Sequence, residues 1–315
     1  MLDEKLAMFE NRLRKVYKTL QQRAAQQKIS CYRLYDRDLP EFPLIIDLYE
    51  DDVQITEYRS NHRLSDEEYD AWLTRSVEVI MKVLSKIPDQ VHLKERKRKE
   101  GRADQYQKAD DRKEFMEVNE GGLKFYLNLN DYLDTGLFID HRITRNMVRK
   151  EAEGKRVLNL FCYTGAFSVY AAAGAAKEVI SVDLSNTYLA WAERNMELNG
   201  FLGDEYYFER ADVLQYLPTI PAASFDLIIL DPPTFSNSKA MKEVFDIQQM
   251  HVELINECLS KLTPGGVLYF STNARKFSLD IDSIGGNVID ITTATTPFDF
   301  KGKLLRWCYR IELRN

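Results

Sequence analysis

Apolar residues recur every three or four positions at the start of the chain. Leu2, Leu6, Phe9, Leu13, Tyr17 and Leu20 form one stripe, which predicts an amphipathic helix ending before Ile29. The period then shortens. "CYRLYDRDLP", "FPLIIDLYE" and "DVQITEYRS" carry short aromatic and β-branched runs and predict two or three strands. At Ser65 the helical period returns. Glu68 follows three residues later, as in a capping box, and Trp72, Val77, Ile80, Val83 and Leu84 continue the helix. Residues 1–92 therefore read as a small α+β domain.

Residues 93–114 are almost without apolar side chains, and 93–118 read as a basic, polar linker or hairpin. "GGLKFYLNLN" follows, with strand-like alternation at Leu123, Phe125, Leu127 and Leu129. From about Lys155 strands and helices alternate. "RVLNLFCYT", "EVISVDLS", "EYYFERADV" and "FDLIILDPP" are strands, separated by "GAFSVYAAAGA", "NTYLAWAERNMELNG" and, after the last, the long helix "KEVFDIQQMHVELINECLSKL". "GVLYFSTN", "NVIDITTAT" and "KLLRWCYRIEL" are three more strands. This order is that of an α/β, doubly wound, mostly parallel sheet, placed in a domain spanning 119–315.

Composition changes this picture little. The 315 residues are 44% hydrophobic and 29% charged, ordinary for a globular chain. No apolar run approaches the length of a membrane span, and the acidic start "MLDEKLAMFE" does not read as a signal peptide. Cys31, Cys162, Cys258 and Cys308 are far apart, without the spacing of a zinc knuckle. Four scattered histidines add no metal-ligand pattern, so no metal is expected and a reducing cytoplasm is the expected location. The net charge is −6, yet residues 1–150 hold 28 basic and 28 acidic side chains. A nucleic-acid partner would have to meet a local basic surface in that first half.

Candidate chemistry lies at the carboxyl ends of the predicted parallel strands, where such sheets bind ligands. The turn after the first strand, "CYTGAFS", holds one glycine, Gly165. A dinucleotide fold would show G-x-G-x-x-G there, so NAD is disfavoured. The second strand ends in Asp183, 18 residues after Gly165, and its carboxylate would accept both hydroxyls of a ribose. The third ends in Asp212, placed to accept from an adenine amine, and the fourth in Asp231. Any one acid could simply cap the next helix. All four features in register fit S-adenosylmethionine (SAM), a nucleoside without a pyrophosphate.

The fourth strand delivers "DPPTF". The prolines fix φ and stop the ladder, so Asp231, Pro232 and Pro233 form a rigid wall, and Phe235 would stack on a flat acceptor base. Pyrimidine C5 methylation needs a thiolate that adds to the ring. The positions where it would help read "DPPTFSNS" and "FSTNARKF", with Asn273 in place of a thiol. A purine ring nitrogen such as guanine N7 already carries an in-plane lone pair and needs only positioning. An exocyclic amine stays open, as do a non-RNA acceptor and a non-enzymatic RNA-binding factor.

"VLNLFCYTGAFSV", "VDLSNTYLAWAERNM", "DLIILDPPTFSNSK", "DYLDTGLFIDHR" and "KERKRKEGRADQYQK" together resemble the guanine-N7 half of the bifunctional bacterial 23S rRNA guanine methyltransferases, the RlmKL family. "FENRLRKVYKTL" and "CYRLYDRDLPEFP" share the likeness, which covers nearly the whole chain, as in a stand-alone version. No segment resembles the THUMP domain or the guanine-N2 half of the fused enzymes. The resemblance implies a Rossmann-like class I methyltransferase sheet of seven strands, the last antiparallel, with SAM as cofactor. It implies 23S rRNA or a large-subunit assembly intermediate as partner. Asn159, Phe161, Tyr163, Thr164 and Gly165 would form the donor loop. Asp183 with Leu184 would take the ribose, Asp212 with Val213 the adenine, and Asp140 and Arg142 the methionine end. Asp231, Pro232, Pro233 and Phe235 would face the target guanine. Lys94, Arg96, Lys97, Arg98, Lys99 and Arg102, six cations in nine positions, would contact RNA phosphates, and residues 1–92 would recognise the RNA.

Overall fold

A computed structural model describes residues 2–58, 64–96, 114–132, 134–236, 245–303 and 306–313. Two compact units emerge. The first comprises Met1–Gly122 with Leu127–Thr135, and the second Leu123–Tyr126 with Gly136–Asn315.

In the first unit, α1 (Leu2–Gln27) and α2 (Asp66–Leu84) accompany a four-stranded sheet. Its strands are β1 (Cys31–Asp36), β2 (Leu44–Tyr49), β3 (Asp52–Tyr58) and β4 (Val91–Arg96), in the order β1-β2-β3-β4. The β1–β2 and β2–β3 pairs are antiparallel and β3–β4 is parallel, with α2 as the crossover. The stripe on α1 is buried at Leu6, Phe9 and Leu13. Phe9 stacks on Phe42 at 4.3 Å and meets Tyr35 edge-on at 5.4 Å, an arrangement that adds to plain area burial. Ser65 caps α2 with the expected reciprocal Ser65–Glu68 pair. Leu93–Arg96, expected in a linker, belong to β4. Its pairing with β3 pulls these polar residues into the sheet. β5 (Met116–Glu120) completes the unit's described strands.

The second unit opens with part of β6 (Leu123–Leu127) and α3 (Arg142–Glu151). It continues with β7 (Arg156–Leu160), α4 (Ala166–Ala173), β8 (Glu178–Asp183), α5 (Asn186–Leu198), β9 (Tyr206–Arg210), α6 (Val213–Tyr216) and β10 (Phe225–Leu230). Short strands β11 (Phe235–Ser236) and β12 (Phe245–Asp246) precede α7 (Ile247–Lys261). β13 (Leu262–Thr272), β14 (Gly286–Asp290), α8 (Thr292–Thr295) and β15 (Trp307–Leu313) close the chain. The main sheet has seven strands in the order β14-β15-β13-β10-β7-β8-β9. β15 runs antiparallel to both its neighbours, while β7, β8, β9, β10 and β13 are parallel.

The central strands are apolar throughout because both faces are covered. Successive side chains point to opposite faces. Leu158, Leu160, Ile228, Leu230, Leu268 and Phe270 therefore join one core, with Leu254, Ile255 and Cys258 of α7. Val157, Leu227, Ile229, Val267 and Tyr269 join the other, with Val148 of α3 and Phe167 and Ala171 of α4. Strand order reverses between β7 and β10. In such sheets the crevice beyond the carboxyl ends at that point receives ligands. The loops that open there are residues 161–165 and 231–236.

Candidate active site

The loop after β7 is built from unusual backbone. Phe161, Tyr163 and Gly165 have φ of 53°, 51° and 72°, the left-handed region that non-glycine residues seldom enter. A Cβ at Gly165 would sit 2.7 Å from the Cβ of Ala192, so glycine allows α4 to approach α5. The loop is held from several sides. Cys162 N donates to Val182 O at 2.9 Å. Tyr163 N donates to Asp183 Oδ2 at 3.0 Å, and Ser185 N to Asp183 Oδ1 at 2.9 Å. Thr164 Oγ1 donates to Gly136 O, and Asn195 Nδ2 to Thr164 O at 2.9 Å. Behind it, Asn159 Nδ2 donates to Ser168 Oγ at 2.9 Å, and Ser168 shares a 2.7 Å hydrogen bond with Ser181.

A cleft with about 460 Å³ of atom-free space, partly open to solvent, lies over this loop. Asn159, Phe161, Tyr163, Thr164 and Asp231 are on its wall, and Phe138, His141 and Arg145 join them. Asp231 accepts from Ser271 Oγ at 2.6 Å, and its other oxygen lies 3.7 Å from His141 Nε2. Asp140 lies 3.7 Å from the same nitrogen. His141 is buried, and that burial outweighs the two carboxylates and holds its pKa below the ordinary value near 6.5. Nε2 faces the two carboxylates, and Nδ1 is buried without a hydrogen-bond partner among the described residues. Burial likewise raises the pKa of Asp183, against the pull of its backbone donors.

The other expected residues fall around this cleft as follows. Gly165 starts α4, and Asp183 ends β8 with Leu184 next to it. Asp212 caps α6, accepting from Leu214 N at 3.1 Å, and Val213 is buried in the core. Pro232 is buried and Pro233 half-buried. Phe235 belongs to β11, which pairs with β12 across Phe235↔Asp246, and its side chain lies outside the described residues. Two of the expected residues make contacts of another kind. The Arg142 guanidinium is off the cleft wall, buried in an ion pair with Asp299 and donating to Ile139 O at 3.0 Å. Arg145, one turn further on α3, lines the cleft instead. Lys94 is buried and donates to Tyr132 O, so it is not a free surface cation. The side chain of Arg96, and Lys97, Arg98, Lys99 and Arg102 entirely, lie outside the described residues.

Sequence reasoning missed His141, Arg145 and Arg306. Arg306 Nη1 donates to Asp140 O at 2.7 Å and pins the "FIDHR" turn. It also missed Arg275 and Lys276, both exposed just beyond β13. The spacing of Arg142 and Arg145 at i, i+3 was the available signal.

A buried imidazole nitrogen without a partner among the described residues, a half-buried carboxylate at the end of β8 and a glycine loop fit a ligand carrying an ammonium and vicinal hydroxyls. SAM carries both. The sheet order and these strand ends define a class I methyltransferase domain. Residues 60–284 match the family described as S-adenosylmethionine-dependent methyltransferase, and the chain belongs to that family, whose cofactor is SAM. It is 46% identical over 315 residues to ribosomal RNA large subunit methyltransferase K/L of Pseudomonas putida (strain GB-1), covering 99% of this chain and 43% of that protein. It is also 46% identical over 307 residues to ribosomal RNA large subunit methyltransferase K of Neisseria meningitidis serogroup B, covering 96% of this chain and 86% of that protein. The chain thus spans less than half the length of the K/L relatives. The crystal structure of SMU.776 complexed with SAH superposes with a TM-score of 0.74 at 25% identity, over 96% of this chain and 82% of that one. No helix among the described residues is long and apolar enough to cross a membrane.

Proposed function

We propose that the chain transfers a methyl group from SAM to N7 of a guanine in 23S rRNA. The observation that carries this reading is the state of the thiols. All four cysteines are buried. Cys162, the one on the cleft wall among the described residues, has its pKa pushed well up by burial and by Asp183. A thiol that resists ionisation is a poor nucleophile, which removes the covalent route to pyrimidine C5. The names of the 46%-identical relatives support ribosomal RNA as the substrate class.

SAM supplies an electrophilic methyl group on a sulfonium sulfur. Guanine N7 forms the new bond with its own lone pair, so no base has to remove a proton. The chain's part is to bind, orient and exclude water. Asp183 would hold the ribose. His141 Nδ1 would accept from the ammonium and Arg145 would face the carboxylate. Asp212 would reach the adenine amine. Asp231, fixed by Ser271, and the Pro232–Pro233 turn would wall the acceptor base, with Phe235 stacking on it. Arg275 and Lys276, together with the run from Arg96 to Arg102, would meet phosphates of an RNA whose target base is extruded. Residues 1–92 would contribute to RNA recognition.

The test compares nucleosides of 23S rRNA from cells with and without the gene. Loss of one 7-methylguanosine is expected. An unchanged set of modified nucleosides refutes the assignment. A second reading, transfer to guanine N2, draws on the Asp231 carboxylate beside the turn. It predicts loss of 2-methylguanosine instead.

A further inference from the structure

β10 and β13 are bridged twice beyond their last paired residues. Leu230 pairs with Phe270, which sets Asp231 beside Ser271. Ser271 Oγ then donates to Asp231 Oδ1 at 2.6 Å. Three residues further, Thr234 Oγ1 donates to Asn273 Oδ1. The backbone around Asn273 is anchored as well. Ala274 N donates to Thr272 Oγ1 at 3.3 Å, and Trp307 Nε1 donates to Ala274 O at 3.2 Å. Thr272 and Ala274 are buried, whereas Asn273 between them is exposed.

This arrangement orients an amide. With Oδ1 engaged by Thr234, the two N–H groups of Nδ2 have no partner among the described residues. A held donor pair beside the acceptor wall is suited to a base that offers an acceptor. Guanine presents O6 and N7 on one edge, while adenine presents N7 and an N6 amine. If N7 is to attack, its lone pair must stay free, so the donor belongs to O6. Adenine in the same pose would set its own N–H against the Asn273 N–H. A site built to hydrogen-bond one group rejects the analogue that cannot answer it.

We propose that Asn273, oriented by Thr234, donates to O6 of the target base and selects guanine over adenine. This rests on the guanine-N7 reading given above. Asn273 would touch substrate, and Thr234 is a positioning residue.

The test is a cycle between protein and substrate. The full chain methylates a synthetic rRNA fragment carrying the target guanine, or 2-aminopurine in its place, which keeps N7 and lacks O6. Wild-type kcat/KM is expected to fall about tenfold on 2-aminopurine. Asn273→Ala is expected to lose about tenfold on guanine and nothing further on 2-aminopurine. Thr234→Val should show a smaller loss on guanine and none on 2-aminopurine. SAM affinity by calorimetry should be unchanged in both variants. Losses that multiply, with Asn273→Ala impaired equally on both substrates, overturn the proposal. So does a fall in SAM affinity, which would make Asn273 a structural residue. If the wild type transfers no methyl to guanine N7, the underlying reading fails instead, and mass spectrometry of the wild-type product distinguishes the two.

Discussion

His141 is a side chain whose surroundings change its acid–base chemistry. Burial keeps it neutral although Asp231 and Asp140 lie 3.7 Å away. The sign follows from linkage. Its folded pKa is lowered, so below the ordinary value near 6.5 the unfolded chain binds the proton that the folded chain refuses. Its contribution to stability is complete above that value and is lost as pH falls from there toward the folded pKa. His141→Gln should therefore be less sensitive to acid, and its unfolding free energy should gain on the wild type between about pH 7.5 and about pH 5.5. A parallel pair of denaturant curves over that range would contradict it. Gly165 makes a second residue-scale prediction. With φ at 72° and Ala192 Cβ 2.7 Å from an added methyl, Gly165→Ala should destabilise by about 2–4 kcal/mol, read as a lowered unfolding midpoint. Asp183→Asn keeps the size of the side chain but removes its charge. SAM affinity should fall roughly tenfold to a hundredfold by calorimetry, and an unchanged affinity would remove Asp183 from the ribose role.

At the scale of elements, strands and apolar-faced helices were legible because their periods are unambiguous. The strands from β7 to β10, and the three acids after β8, β9 and β10, follow from short apolar runs and Pro or Gly stops. α3 was not legible. Its sequence "RITRNMVRKE" is polar, and it buries Arg142 and Arg145, which a hydropathy pattern assigns to the surface. The burial of Arg142 is made tolerable by Asp299, 157 positions away in the chain. No local signal could reveal it. For the same reason the cleft was only half legible: Asn159 to Gly165 and Asp231 lie on motifs, whereas His141 and Arg145 reach it through α3. Two other boundaries moved for local reasons. α7 starts at Ile247 after its cap Asp246, whose side chain accepts from Gln248 N, and residues 93–96 belong to β4 because β3 offers a parallel edge. The buried Arg142–Asp299 pair carries the prediction at this scale. Asp299→Ala leaves an uncompensated buried charge and should cost about 3–5 kcal/mol. The measurement is the unfolding midpoint in denaturant.

Across the whole molecule, charge is uneven. The first 150 residues are neutral in sum and the deficit of −6 lies in the remainder. On the proposed function, RNA contact would come from local cations rather than from an overall positive field. Arg275 and Lys276 are exposed just beyond β13, in the half of the chain that carries the net negative charge. Arg275→Ala and Lys276→Ala should weaken RNA binding without changing SAM affinity. Each should reduce the slope of log affinity against log salt by about one. An unchanged slope would place the phosphates elsewhere.

The central claim, methyl transfer to guanine N7 of 23S rRNA, is tested most directly on the purified chain. It is incubated with SAM bearing a labelled methyl group and with 23S rRNA transcribed without modifications. The RNA is then digested to nucleosides and resolved by mass spectrometry. The account predicts the label in 7-methylguanosine alone. Label in 2-methylguanosine, in a methylated pyrimidine, or in no nucleoside would contradict it.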